Sequence, residues 1–197
     1  MSYKYEVIRK LIHFSNLLIP LLLFYYSKDL ILKILIPLSI IFISLDYLRI
    51  NTSKVASFYD KYFSLITREF EFNHFTGASY VFFSSCVIII FFPLEVAIPS
   101  LLIMSISDSV AAIIGLRYGK VKLYSKTLEG TIAFFLTSTL IILLFSRIEL
   151  LPGMIAVIIS TLVESSDFLN IDDNLSVPLS FSISYSIFMY LFNVGII

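Results

Sequence analysis

Residues 108–130 read DSVAAIIGLRYGKVKLYSKTLEG. The stretch opens on Asp108 inside a run apolar enough to cross a membrane. It leaves that run through Gly115, Arg117, Tyr118, Gly119, Lys120, Lys122 and Lys126, and enters a second apolar run at Glu129 and Gly130. A charged residue inside a span costs about 2.5–3.5 kcal/mol on insertion scales, so it faces a cavity or a partner. A carboxylate near one helix end, a basic glycine-bearing loop and a second carboxylate at the next helix start make a combined anion and metal site. The rest of the chain then reads as helices that hold this loop at a membrane surface.

Composition points the same way. Of the 197 residues, 58% are hydrophobic and 14% charged, with a mean hydropathy of +0.95. A soluble domain sits near half apolar and a quarter charged, so an all-α, polytopic membrane bundle is expected, forming one domain over residues 1–197. Net charge is zero, which gives no general field for a nucleic-acid partner. Cys86 is the single cysteine, so disulfides and cysteine-based metal sites are excluded. Glu6 interrupts the basic N-terminal region and no small-residue cleavage pattern follows, so a removed signal peptide is not expected.

A bilayer core takes about 20 apolar residues per helix, with roughly 17 as a lower limit. Seven runs come near this length: 11–26, 30–48, 77–92, 96–114, 129–145, 150–163 and 177–192. In residues 50–76, Val55, Phe58, Tyr59, Tyr62, Phe63 and Ile66 recur at helical spacing, as in an amphipathic helix lying in the interface. With the N-terminus cytosolic, Lys28, Lys33 and Arg147 fall outside and the other 11 of the 14 Lys and Arg residues fall inside. This obeys the positive-inside rule. Every polar motif then faces the cytosol.

Each candidate has a chemical reading and a structural one. Asp108 is a magnesium ligand, since Mg²⁺ takes one or two carboxylates plus phosphate oxygens, or it is a packing carboxylate bonded to a neighbouring Ser or Lys. Gly115 to Lys120 can wrap phosphates with backbone N–H groups and cations, although it lacks the spacing of a Walker A loop. Thr127 is placed to cap the next helix. Lys126, Glu129 and Gly130 stand where helix N-termini favour anions, and Glu129 is a second metal candidate. Glu164, Asp167, Asp172, Asp173 and Asn174 form the acidic cluster, read as a further metal carboxylate or a general base, or else as a solvated loop. Arg9 and His13 are i and i+4 on one helical face. With Lys10 they bind phosphate, assist proton transfer or anchor the helix at the interface. Asp46 and Arg49 read as a structural i, i+3 pair.

Four stretches in order, RKLIH (9–13), GASY (77–80), DSVAAIIGLRYGK with KTLEGTIAFF (108–135), and VESSDFLNIDDNLSVPL (163–179), resemble the polyprenol kinase family. That family includes dolichol, phytol and farnesol kinases and the CTP-dependent diacylglycerol kinase, and it is related to the phosphatidate cytidylyltransferases. The resemblance implies a membrane enzyme that moves the γ-phosphoryl of CTP to a lipid alcohol with Mg²⁺. Asp108, Gly115, Tyr118, Gly119, Lys126, Glu129 and Gly130 match the nucleotide motif. Glu164, Asp172, Asp173 and Asn174 match the acidic motif. On this reading Arg117, Lys120 and Lys126 hold the triphosphate. Asp108 with Glu129, Asp172 or Asp173 binds the metal, and Asp172 or Asp173 takes the alcohol proton. The competing expectations are a cytidylyltransferase, which attacks the α-phosphorus, and a transporter. The polar groups are gathered on one face, whereas transporters place their sites near the midplane.

Overall fold

The computed structural model describes residues 3–63, 67, 69–124, 126–166 and 171–192. Ile66 and Asp167 lie outside them. The protein is 83% helical and all-α, with one short β-hairpin among the described residues. The helices are α1 (Tyr3–Phe14), α2 (Leu18–Leu22), α3 (Lys28–Asn51), α4 (Ser53–Phe63), α5 (Gly77–Phe91), α6 (Leu94–Leu102), α7 (Asp108–Tyr118), α8 (Leu128–Leu144), α9 (Leu150–Ser165) and α10 (Asp173–Leu191). Strands β1 (Lys122–Leu123) and β2 (Lys126–Thr127) pair antiparallel between α7 and α8.

Among the described residues, two helical stretches are long and apolar enough to cross a membrane, Lys28–Asn51 and Leu94–Tyr118. Shorter apolar helices include Leu11–Leu22, Gly77–Phe91, Leu128–Leu144 and Leu150–Ser165. Their outer faces leave large apolar side chains uncovered, among them Ile40, Leu136, Leu143, Leu151 and Leu162. Inward, Ile88, Ile89, Ala97 and Leu101 form one apolar cluster, and Ile103, Phe134, Val157 and Phe181 form a second. Helix α4 has Tyr59 under the Arg49 guanidinium at 4.9 Å, while Phe58, Tyr62 and Phe63 stay exposed. Its apolar side is therefore largely free of protein, as an interfacial helix requires.

The polar groups divide between two poles. At one, Phe24 meets Phe145 with ring centroids 6.1 Å apart, and Arg147 stands 3.9 Å from Glu95. At the other, α1, the end of α3, the hairpin and the turn before α10 come together. There Asp46 and Arg49, both buried, form the structural pair expected from their spacing, Arg49 Nε donating to Asp46 Oδ1 at 3.1 Å. Asp46 Oδ2 also accepts from Thr76 N (2.7 Å), Thr76 Oγ1 (2.8 Å) and Ser79 Oγ (2.6 Å). Arg49 donates to the carbonyls of Phe72 and His74. One ion pair thus fastens α3 to the start of α5.

Two expectations are corrected here. The chain does not leave the helix at Gly115. Residues 115–118 complete α7, and the turn begins at Gly119. The run 96–114 is not one uniform α-helix, because Ile103–Ser107 widen into a π-turn between α6 and α7. The hairpin and α8 approach Gly115 closely. A Cβ there would lie 2.8 Å from Thr127 Oγ1, and one on Gly130 would lie 2.9 Å from the Ala111 carbonyl oxygen. Thr127 Oγ1 accepts from Gly130 N at 3.2 Å and caps α8, as its position suggests.

Gly130→Ala therefore sets two effects against each other. Alanine is favoured over glycine in a helix by about 1 kcal/mol, while overpacking against rigid backbone costs about 1–3 kcal/mol. The expected result is a lower thermal midpoint in detergent. A raised midpoint would show that α7 and α8 do not approach this closely.

Candidate functional site

Three carboxylates from three helices converge on one ammonium. Lys126, on β2, donates from Nζ to Glu164 Oε1 of α9 at 2.9 Å and to Asp173 Oδ2 of α10 at 2.7 Å. Asp108 at the head of α7 lies near enough to act on the same charge. Burial by itself would lower the lysine pKa, but Asp173, Glu164 and Asp108 outweigh it and raise it above the ordinary value. The two carboxylates bonded to Lys126 exceed its single positive charge. Glu164 is 2% exposed, and its Oε2 is buried without a hydrogen-bond partner. A buried, unpaired carboxylate oxygen is costly, and a hard cation would relieve it.

Asp108 also meets the N-terminal helix. His13 Nε2 lies 3.4 Å from Asp108 Oδ2 and 3.1 Å from the Met104 carbonyl oxygen. Met104 belongs to the π-turn, a feature frequent at functional sites. Arg9 lies on α1 one turn before His13 and is partly buried, and Lys10 belongs to the same helix.

The remaining candidates are placed differently. Glu129 is not gathered with the other carboxylates. It accepts from Lys120 N at 2.9 Å and from Val121 N at 3.3 Å, closing the turn after α7. Those two amides are thus engaged by a carboxylate. The Arg117 guanidinium lies over the Tyr118 ring at 5.4 Å. Arg117, Tyr118, Gly119 and Lys120 line an exposed rim, while Gly115 and Gly130 serve the α7–α8 contact. Asp172 caps α10, accepting from Asn174 N at 3.0 Å and Asn174 Nδ2 at 2.7 Å. Asn174 Nδ2 also reaches the Gly77 carbonyl at 3.5 Å, and Gly77 N donates to Glu71 Oε1. The GASY turn and the acidic segment are in this way tied together.

Among the described residues no group of three or more His, Cys, Asp or Glu side chains is preassembled as a metal cage. Mg²⁺ needs none, since it is commonly held by one or two carboxylates, water and substrate phosphates. The all-oxygen donor set and the unpaired Glu164 Oε2 fit such an ion.

Sequence reasoning grouped Glu164 with a loop, whereas it is a buried helical residue aimed at Lys126. It did not find Asn16, whose spacing of i+3 from His13 was the available signal. No sequence signal marked the π-turn.

Comparison with known proteins supplies the family. An uncharacterised protein of Rickettsia prowazekii is 32% identical over 199 residues, covering 96% of this chain and 98% of that one. CTP-dependent diacylglycerol kinase 1 of Schizosaccharomyces pombe is 26% identical, covering 90% of each chain. Dolichol kinase of Saccharomyces cerevisiae is 36% identical over 86 residues, 38% of this chain and 16% of that enzyme. The chain belongs to the polyprenol kinase family of lipid kinases. No family model matches it, and no solved structure does.

Lys126→Met would leave Glu164 and Asp173 without the cation they share. Removing one partner of a buried pair costs on the order of 3–5 kcal/mol, and a loss near the lower figure is expected for this partly exposed lysine. A group whose pKa is raised on folding stabilises fully below its unfolded value, near 10.4 for lysine, and is lost only as pH climbs through the folded value. The gap in thermal midpoint between wild type and variant should therefore persist from pH 6 to pH 9. A gap that closes by pH 9 would show that the lysine is not held by these carboxylates.

Proposed function

We propose that the chain is a multi-pass membrane kinase, folded as one unit, that transfers the γ-phosphoryl group of CTP to the hydroxyl of a lipid alcohol at the cytosolic face. The convergence of Asp108, Glu164 and Asp173 on Lys126, beside a basic rim, carries this reading. The names of the similar yeast enzymes support CTP as donor and a lipid as acceptor. Seven helical passes with a cytosolic N-terminus follow from the apolar runs and the Lys and Arg distribution.

Phosphoryl transfer depends on charge neutralisation and in-line placement more than on covalent help from the protein. Asp108 and Glu164 are the residues that would hold Mg²⁺, whose chemistry is to neutralise phosphate oxygens. Arg117 and Lys120 on the rim bind the triphosphate. Lys126 turns its ammonium from the carboxylates to the phosphate as the nucleotide seats. Asp173, released by Lys126, accepts the proton of the alcohol while its oxygen bonds to the γ-phosphorus. The bond between the γ-phosphorus and the bridging oxygen breaks, and CDP departs. The lipid tail stays among hydrocarbon, entering laterally past exposed apolar faces. Asp172 holds the first turn of α10, which places Asp173.

A product assay in detergent–lipid micelles tests this, using γ-labelled CTP, Mg²⁺ and a panel of polyprenol, phytol, farnesol and diacylglycerol. Label is expected in one lipid, and Asp108→Asn is expected to abolish transfer while remaining inserted and folded. Wild-type turnover by a folded Asp108→Asn protein would remove the metal role. Label from α-labelled CTP appearing in a lipid with phosphatidate as acceptor would replace the kinase by a cytidylyltransferase.

A further inference from the structure

The contact between α1 and α7 assigns a role to two residues outside the carboxylate cluster. We infer that Asn16 and His13 act as a positioning pair that fixes the carboxylate of Asp108 through the Nε2–H of His13. The inference rests on the proposed role of Asp108 and extends it to a residue with no part in the motifs.

Three observations support it. The two groups at His13 Nε2 are the Met104 carbonyl oxygen at 3.1 Å and Asp108 Oδ2 at 3.4 Å, and both are acceptors. Nε2 therefore carries the hydrogen, whether the ring is neutral or charged. On the other side of the ring, Asn16 Nδ2 stands 3.2 Å from Nδ1, so the amide grips the ring from the side away from Asp108. Finally, the backbone on both sides departs from the α-helix at this point. Residues 15–17 tighten into a 3₁₀ turn that carries Asn16, and residues 103–107 widen into the π-turn that carries Met104.

The arrangement is that of a residue behind a ligand, which orients the ligand by donating a hydrogen bond and is itself oriented from the far side. Loss of such partners typically costs about 10–100-fold in metal affinity or activity. Asn16 does not touch Asp108, so its effect must pass through the imidazole. It is a positioning residue.

The protein has two histidines, which makes ¹⁵N-histidine labelling decisive. In detergent micelles without nucleotide, comparison with a His74→Gln protein assigns the His13 signals. They are expected to show a protonated Nε2. A protonated Nδ1 with an unprotonated Nε2 would overturn the inference. In the CTP assay, Asn16→Leu should lower kcat about 10-fold with the KM for CTP within about twofold, and unchanged kinetics would overturn it. His13→Gln retains a side-chain N–H donor and should keep several-fold more activity than His13→Leu. Equal losses would overturn a role through Nε2–H. The nitrogen spectrum is read without turnover, so its failure is distinct from failure of the kinase reading, which shows as absence of label in every lipid.

Discussion

A single ammonium held by carboxylates from separate helices is the constraint on which the pole that gathers the hairpin and the start of α10 depends. Glu164 is buried in the last turn of α9 and Asp173 opens α10. Neither helix supplies a cation for the other. Lys126 reaches both because the hairpin between α7 and α8 folds back over them. The hairpin in turn is closed by Glu129 on the amides of Lys120 and Val121 and is pressed to α7 at Gly115. Moving any one of these parts would leave buried charge uncompensated, a situation that costs several kcal/mol. Electrostatics therefore specifies how α7, α8, α9 and α10 meet at this pole, where apolar packing alone would tolerate sliding.

The two ionic clusters of the pole differ in a way that separates scaffold from chemistry. Asp46 accepts from Arg49, Thr76 and Ser79, and Arg49 spends its donors on Asp46 and two carbonyls. That pair is saturated, as buried charges in a purely structural role need to be. The cluster at Lys126 is not balanced. Two carboxylates share the one ammonium of Lys126, and one oxygen of Glu164 has no hydrogen-bond partner among the described residues. Asn174 joins the two, reaching the Gly77 carbonyl from the first turn of α10. The saturated cluster gives the unsaturated one a fixed frame.

Much of this was legible in the sequence for physical reasons that can be named. Long apolar runs write the helices, since their signal is summed over many residues. The Thr127 cap and the Asp46–Arg49 pair were readable because both depend on spacing within three residues. Asp108, Lys126, Glu164 and Asp173 were named as candidates, but their association was not readable, because it joins residues up to 65 positions apart through tertiary packing. Gly115 and Gly130 looked like phosphate-loop glycines because the same absence of Cβ serves a ligand and a neighbouring helix equally well. The structure assigns them to the neighbouring helix. The π-turn left no trace, since Ile103 to Ser107 are as apolar and small as the α-helical residues around them.

The excess negative charge at Lys126 also bears on what can bind. A nucleotide triphosphate arriving alone would meet carboxylates that share a single ammonium in a partly buried site, where charge interactions are screened far less than in water. The exposed rim of Arg117 and Lys120 attracts it, but the inner cluster repels it. A triphosphate that arrives with a divalent cation reverses that balance. The carboxylates then gain the counter-charge that one lysine cannot supply, and the lysine becomes available to a phosphate oxygen. On the proposed function, the same exchange would prepare Asp173 to take a proton, because its ammonium partner would have moved away. On the proposed function, binding and activation would be one rearrangement of charge, with no moving helix needed to couple them.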